Sequence, residues 1–270
     1  MTWHDMPGLA ALCLFLAGLS LVGQAEFSGV LLQDGDIYLT QSTSNLSVIY
    51  ARYGNPPGNY SHAGVFFYDQ QGLPKILHVI TSPALEDFES YQKGLMQIVV
   101  LRKKLDEAQH RRLGETLRAW SRDSAILNAT FDYKMQDVPG RRNQFYCISF
   151  LNEIWRSSDL QQPFVSGGKL PNTAVKSYLK QELGIDLDNL VGANSIFQNP
   201  EFSLLTEWRD SSQTAHDQFL LEQVFAVIVS YVEEGYSGRD LGPLQGWFMR
   251  TALRRKGYEA NAAQVLRMMN

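Results

Sequence analysis

The spacing of apolar and polar positions changes along the chain. Between about residues 26 and 103, apolar residues alternate with polar ones or form short blocks cut by turn formers, which predicts strands. One strand is expected over 30–38 around the turn Gln33-Asp34-Gly35-Asp36. Two more are expected over 63–68 (AGVFFY) and 76–81 (ILHVIT). The turn formers of 69–74 between them make that pair a hairpin. Residues 97–102 (QIVVLR) are a fourth strand. Helical spacing follows. Asp106 and Gln109 stand at capping-box separation, Leu105 is placed as a hydrophobic staple, and Leu113, Leu117 and Trp120 continue one apolar face. After the loop DYKMQDVPGRRNQ, a second helix begins at Cys147 with Phe150, Leu151, Ile154 and Trp155 turned inward. A third covers 172–183 and is closed by Gly184.

From about Thr206 the texture changes. Residues 211–234 hold the apolar run FLLEQVFAVIVSYV, stopped by Gly235, and 244–256 and 259–269 read as two further helices. The first is too apolar on every side for a surface helix, which points to burial or an interface. At the other end, 14 nearly continuous apolar positions run from Leu9 to Val22, the length of a signal core and short for a membrane span of about 20 residues. Gly23 and Ala25 are the small residues of a cleavage site after Ala25. The preceding MTWHDMPG departs from the pattern, having no Lys or Arg and carrying Asp5. The expected organisation is a leader over 1–25, an α+β body over 26–209 and a helical extension over 210–270, in a periplasmic or secreted protein.

The 270 residues are 44% hydrophobic and 19% charged, with a formal charge of −4. That is enough chain for a real core, and the balance gives no basis for nucleic-acid binding. No cysteine/histidine cluster has zinc-like spacing and no phosphate-binding glycine loop is present, so no metal and no cofactor is expected. Asn45, Asn59 and Asn128 open formal glycosylation sequons that chance explains. The basic stretch RTALRRK (250–256) reads as a solvated helix end.

Removing the leader takes Cys13 with it and leaves one cysteine, Cys147. A lone thiol in an exported chain pairs with another molecule, is buried and inert, or is a nucleophile. Its position at the start of a helix favours the nucleophile, because the helix N-terminus and a neighbouring imidazolium both lower a thiol pKa. Of five histidines, His4 is lost with the leader, His110 lies among charges and His216 reads as a surface or capping residue. His62, in NYSHAGV, ends a polar turn and enters an apolar strand, which holds its ring while leaving it reachable as a general base. A third group is needed to orient the imidazole. Taking the hairpin turn as centred between 71 and 72, the residue opposite His62 is Thr81, with Ser82 reached by a register slip. His78 then falls on the other face and reads as structural.

The ordered set GDI (35–37), SHAGV (61–65), VIT (79–81), IVVLR (98–102), FDY (131–133) and YC (146–147) resembles the circularly permuted papain-like cysteine hydrolases. Within them it is most similar to the YiiX/YebB-like branch of the NlpC-type peptidases, relatives of the lecithin:retinol acyltransferase-like proteins. The resemblance spans about 31–208. It implies an antiparallel sheet packed against helices, Cys147 as nucleophile, His62 as general base, and Tyr146 near the oxyanion. The family commonly has a glutamate at the third position, where this chain has Thr81. Asp36 matches a family feature that reads as a turn-fixing carboxylate. The implied reaction is acyl transfer through a thioester at an amide or ester bond of a cell-envelope substrate such as a peptidoglycan stem peptide, with a peptide or lipid acyl substrate as the alternative, and with the C-terminal helices available to a membrane or protein partner. The alternative is a catalytically weak binding or scaffold protein of the same fold.

Overall fold

A computed structural model describes residues 25–41, 58–93, 95, 97–165 and 191–210. The leader, the helix expected over 172–183 and the helical extension lie outside the described residues. Ten strands and four α-helices make up the described body. The strands are β1 (Glu26–Phe27), β2 (Val30–Leu31), β3 (Ile37–Gln41), β4 (His62–Tyr68), β5 (Pro74–Val79), β6 (Pro83–Asp87), β7 (Gln97–Lys103), β8 (Thr130–Phe131), β9 (Gln144–Phe145) and β10 (Phe202–Arg209). The helices are α1 (Phe88–Tyr91), α2 (Glu107–Trp120), α3 (Ser124–Leu127) and α4 (Cys147–Ser157), and a 3-10 turn covers Ala193–Gln198.

Six strands form one antiparallel sheet in the order β10-β7-β3-β4-β5-β6. Strand alternation gives each face its own core. One face carries Ile37, Leu39, Ala63, Val65, Leu77 and Val99 against Phe150, Leu151, Ile154 and Trp155 of α4 and Leu113 and Leu117 of α2. The other carries Tyr38, Phe66, Ile76 and Val100 against Phe88 and Tyr91 of α1. Each fully buried aliphatic or aromatic side chain here contributes roughly 1.5–3 kcal/mol. The sheet therefore has few degrees of freedom at the points where it carries chemistry.

The stretch expected as one strand over 30–38 is two, β2 and β3, because the turn between them is tight. Gly35 has φ of 91°, which only glycine adopts without strain. The buried Asp36 carboxylate accepts from Gln33 N at 2.9 Å and from Arg102 Nε at 2.7 Å and Nη2 at 2.6 Å. The capping box of α2 is present, with Asp106 Oδ1 accepting from Gln109 N at 2.8 Å and Gln109 Oε1 accepting from Asp106 N at 3.0 Å. Helix α4 begins at Cys147, and Ser149 Oγ accepts from Tyr146 N at 3.1 Å to close its first turn.

The β4–β5 hairpin sits one register step from the expected one. Asp69 Oδ1 accepts from the backbone N–H of Gln71 and Leu73, and Gly72 takes a φ of 74°, so the loop centres on Gln71. Gly64 pairs with His78 and Val65 with Leu77. Two strands of the six-stranded sheet were not anticipated: β6, which begins with a proline at the sheet edge, and β10, which pairs with β7 from Phe202↔Lys103 to Arg209↔Gln97.

Candidate active site

Cys147 is the first residue of α4, where backbone N–H groups have no partner within the helix. The backbone N–H groups of Ala63, on β4, of Ile148 and of Cys147 itself act on the thiol and lower its pKa. His62 immediately precedes Ala63; its ring contacts His78 and is not among the residues that line the cleft of Cys147.

His62 is held by the sheet on the face of Thr40, its register partner on β3. Its Nε2 lies 3.0 Å from Nδ1 of His78. His78 is buried, and its Nε2 lies 3.2 Å from Oε1 of Glu86 on β6. The three side chains run diagonally across β4, β5 and β6 on one face, because His78 stands opposite Gly64 and Ile76 opposite Glu86. Gly64 makes room for the line: a Cβ there would lie 3.0 Å from Ile76 Cγ2, 3.2 Å from His78 Cβ and 3.4 Å from Tyr91 Oη. Tyr91 closes the far side, its ring edge-on to His78 at 4.9 Å.

A carboxylate only accepts, so a proton on His78 Nε2 would suit Glu86, leave His78 Nδ1 to accept from His62 Nε2–H and make Nδ1 the basic nitrogen of His62. The 3.2 Å approach of His78 Nε2 to Glu86 is a proximity and lacks hydrogen-bond geometry.

These placements correct the sequence reading at two positions. Thr81 is not the orienter of His62. It lies exposed in the bend after β5, beyond the end of the ladder, and Ser82 follows it there. The one-step difference in register moves His78 onto the face of His62, where its Nδ1 lies within 3.0 Å of the His62 ring. Glu86 was missed because β6 was missed. The signal for it was a carboxylate alternating with Ala84 in a short edge segment opened by Pro83.

The electrostatics also differ from expectation. Burial pushes the Cys147 thiol up to about 11, more than its three backbone donors pull it down. Burial, and then the charge of His78, push His62 down to about 3. His78 is likewise lowered by burial, with Glu86 opposing. The free protein therefore holds a neutral thiol and a neutral imidazole, because desolvation outweighs the helix N-terminus.

Cys147 is half-buried and opens onto a small cleft lined by Ser61, Phe131, Met135, Ile148 and Val191 among others. Tyr146 lines the same cleft, its ring buried. One wall is the loop after β8. The buried Asp132 accepts from Lys134 N and Gln136 N, each at 3.0 Å, and from Arg141 Nη1 at 2.9 Å. Asn152 and Arg156 of α4 donate to Asp137 at 2.7 and 2.6 Å. The opposite wall, 191–193, is tied down by Asn194. Its Oδ1 accepts from Tyr60 N at 3.2 Å and its Nδ2 donates to Tyr60 O at 3.0 Å.

No family model matches the chain, and no curated protein matches it in sequence. Among solved structures it is similar to the metalloprotein YiiX from Escherichia coli O157:H7. The TM-score is 0.50 at 17% identity, covering 66% of this chain and 98% of that one. The described residues do not fit a metal ion: no group of three or more His, Cys, Asp or Glu side chains is arranged to hold one, and His62 and His78 turn ring nitrogens toward each other. The mixed body of antiparallel sheet and few helices has a YiiX-like fold.

Proposed function

We propose that the protein is a thiol hydrolase or acyltransferase of the permuted papain-like kind, with Cys147 as nucleophile and His62 as general base. His78 orients His62, and Glu86 favours a proton on Nε2 of His78. The observation that carries this reading is the line Glu86–His78–His62 ending one residue before Ala63, whose backbone N–H acts on the Cys147 thiol. The order of parts along the chain, histidine strand before cysteine helix, is the permuted one.

His62 Nδ1 takes the thiol proton as sulfur attacks the acyl carbonyl. The tetrahedral oxyanion collapses, the leaving group departs with that proton, and water or another acceptor releases the thioester. The cleft lining favours an apolar acyl group. Among the described residues that line it none is cationic, so it offers little to the carboxylates of a peptidoglycan stem peptide. An ester or amide of an apolar acyl chain on an exported, cell-envelope lipid is the substrate class we favour, with the stem-peptide amide as the competing one. Incubating the protein with phospholipids and, separately, with muropeptides, then reading products by mass spectrometry, tests the choice. Loss of an acyl chain that stops in Cys147→Ser is the expected result. Products from muropeptides alone reverse the substrate assignment, and no Cys147-dependent product from either removes the enzyme.

A second reading has its own support. A thiol raised to about 11 and a base lowered to about 3 are poorly poised for turnover, which favours a weak catalyst that binds acylated partners. Stoichiometric acylation of Cys147 by an activated acyl ester, without release, would identify that case.

A further inference from the structure

Ser61 is 8% exposed, and its hydroxyl has no hydrogen-bond partner although it lines the Cys147 cleft. A buried hydroxyl left unpaired costs about 1–3 kcal/mol, and such groups concentrate where a ligand completes the bond. Ser61 N donates to Thr40 O at 3.1 Å although Thr40 is the register partner of His62, so two residues at the start of β4 oppose one of β3 as in a bulge, which re-aims a side chain. The Ser61 side chain lines the cleft onto which Cys147 opens. Its neighbour Tyr60 is clamped by Asn194, so the serine does not swing.

From this we infer that Ser61 Oγ–H donates to the oxyanion formed when the Cys147 sulfur attacks an acyl carbonyl, working together with the Cys147 backbone N–H. The inference rests on the thiol-hydrolase reading and adds to it. In the step, a C–S bond forms, the thiol proton passes to His62 Nδ1, and the carbonyl π pair moves onto oxygen. That oxygen then accepts from Ser61 Oγ–H and Cys147 N–H until the pair returns and expels the leaving group. The carbonyl oxygen supplies the partner that the hydroxyl lacks in the free protein, so the bond is made fully only as charge develops.

The test uses the whole protein with a p-nitrophenyl ester of a medium-chain fatty acid, the corresponding fatty aldehyde as a reversible thiohemiacetal former, and iodoacetamide. Ser61→Ala removes the donor without adding bulk, and Ser61→Thr restores it. Removing one oxyanion donor typically lowers kcat by about 10²–10³. A fall of that order at unchanged KM is expected for Ser61→Ala, with a comparable loss of aldehyde affinity and substantial recovery in Ser61→Thr. Iodoacetamide develops no oxyanion, so its rate with Cys147 should stay within about twofold of wild type. Equal kcat and equal aldehyde affinity in wild type and Ser61→Ala overturn the inference alone. So does a matching fall in alkylation, which would put Ser61 on the thiol and not on the oxyanion. Wild-type protein that neither cleaves the ester nor binds the aldehyde overturns the hydrolase reading and this inference with it.

Discussion

His62 Nε2 and His78 Nδ1 stand 3.0 Å apart although their strands pair two residues out of step, His78 lying opposite Gly64. The contact is diagonal across the sheet, and only a glycine at the intervening position lets both imidazoles reach it. The geometry makes His78 the residue whose loss should be felt at His62. His78→Gln should lower kcat/KM for an activated ester by about 10²-fold or more, since an unoriented general base forfeits much of its usual 10²–10⁴ contribution. Thr81→Ala should leave the rate within about twofold. Steady-state kinetics on both variants decide between the two orienters.

Gly64→Ala tests the same relationship from the backbone. The added Cβ meets Ile76 Cγ2 at 3.0 Å and His78 Cβ at 3.2 Å, inside ordinary contact, and the strand on either side cannot back away. A destabilisation of about 1–3 kcal/mol is expected, typical of overpacking. Activity should fall beyond what the lost stability explains. Urea titration paired with ester turnover at a temperature well below unfolding separates the two effects.

Alkylation of Cys147 should follow an apparent pKa above the ordinary thiol value, near 11, because burial disfavours the thiolate. Iodoacetamide rates measured from pH 6 to 10.5 should still be climbing at the top of that range. A plateau below pH 8 would show that the imidazole holds the proton in the free protein.

The buried imidazoles set the acid side of stability. His62 is lowered from 6.5 to about 3, so between those values the unfolded chain binds a proton that the folded chain does not. Stability should therefore fall as the pH drops from about 6.5 toward 3, with His78 adding in the same direction. Thermal unfolding followed across that window should show a shallower slope in His62→Gln.

Asn194→Ala removes both bonds to Tyr60 and leaves its buried backbone N–H and C=O unpaired. A loss of about 1–3 kcal/mol is expected. Weaker binding of a medium-chain fatty aldehyde is expected with it, since residues 191–193 form a wall of the cleft. Chemical denaturation and an aldehyde titration check the two parts.

The sequence conveys much of this site and misplaces Thr81 and His78. The capping box at Asp106 and Gln109, the start of α4 at Cys147 and the strand opened by His62 are all set by local spacing, and the structure has each of them. The orienting residue depends instead on register, which period-two alternation leaves open by one step. Asp69 and Gly72 in the loop decide that step, by hydrogen bonds that spacing does not reveal. Glu86 and β10 were hidden for a different reason. Edge strands bury one side at most, and β6 ends in Glu86 and Asp87 while β10 carries Glu207 and Arg209, so neither has the apolar density of a central strand. The thiol pKa was misread because burial is a tertiary quantity, and it reverses what the helix terminus alone would do.

Strand β10 has a consequence for how the protein is made. It covers the outer edge of β7, whose core sequence QIVVLR is among the most apolar in the described body, yet about a hundred residues of chain separate the two partners. During synthesis β7 can join β3 well before β10 leaves the ribosome, and through that interval its free edge is a sticky template for other nascent chains. The protein is therefore most prone to misassembly in the time between these two strands, and slowing translation after residue 103 should raise its demand for chaperones.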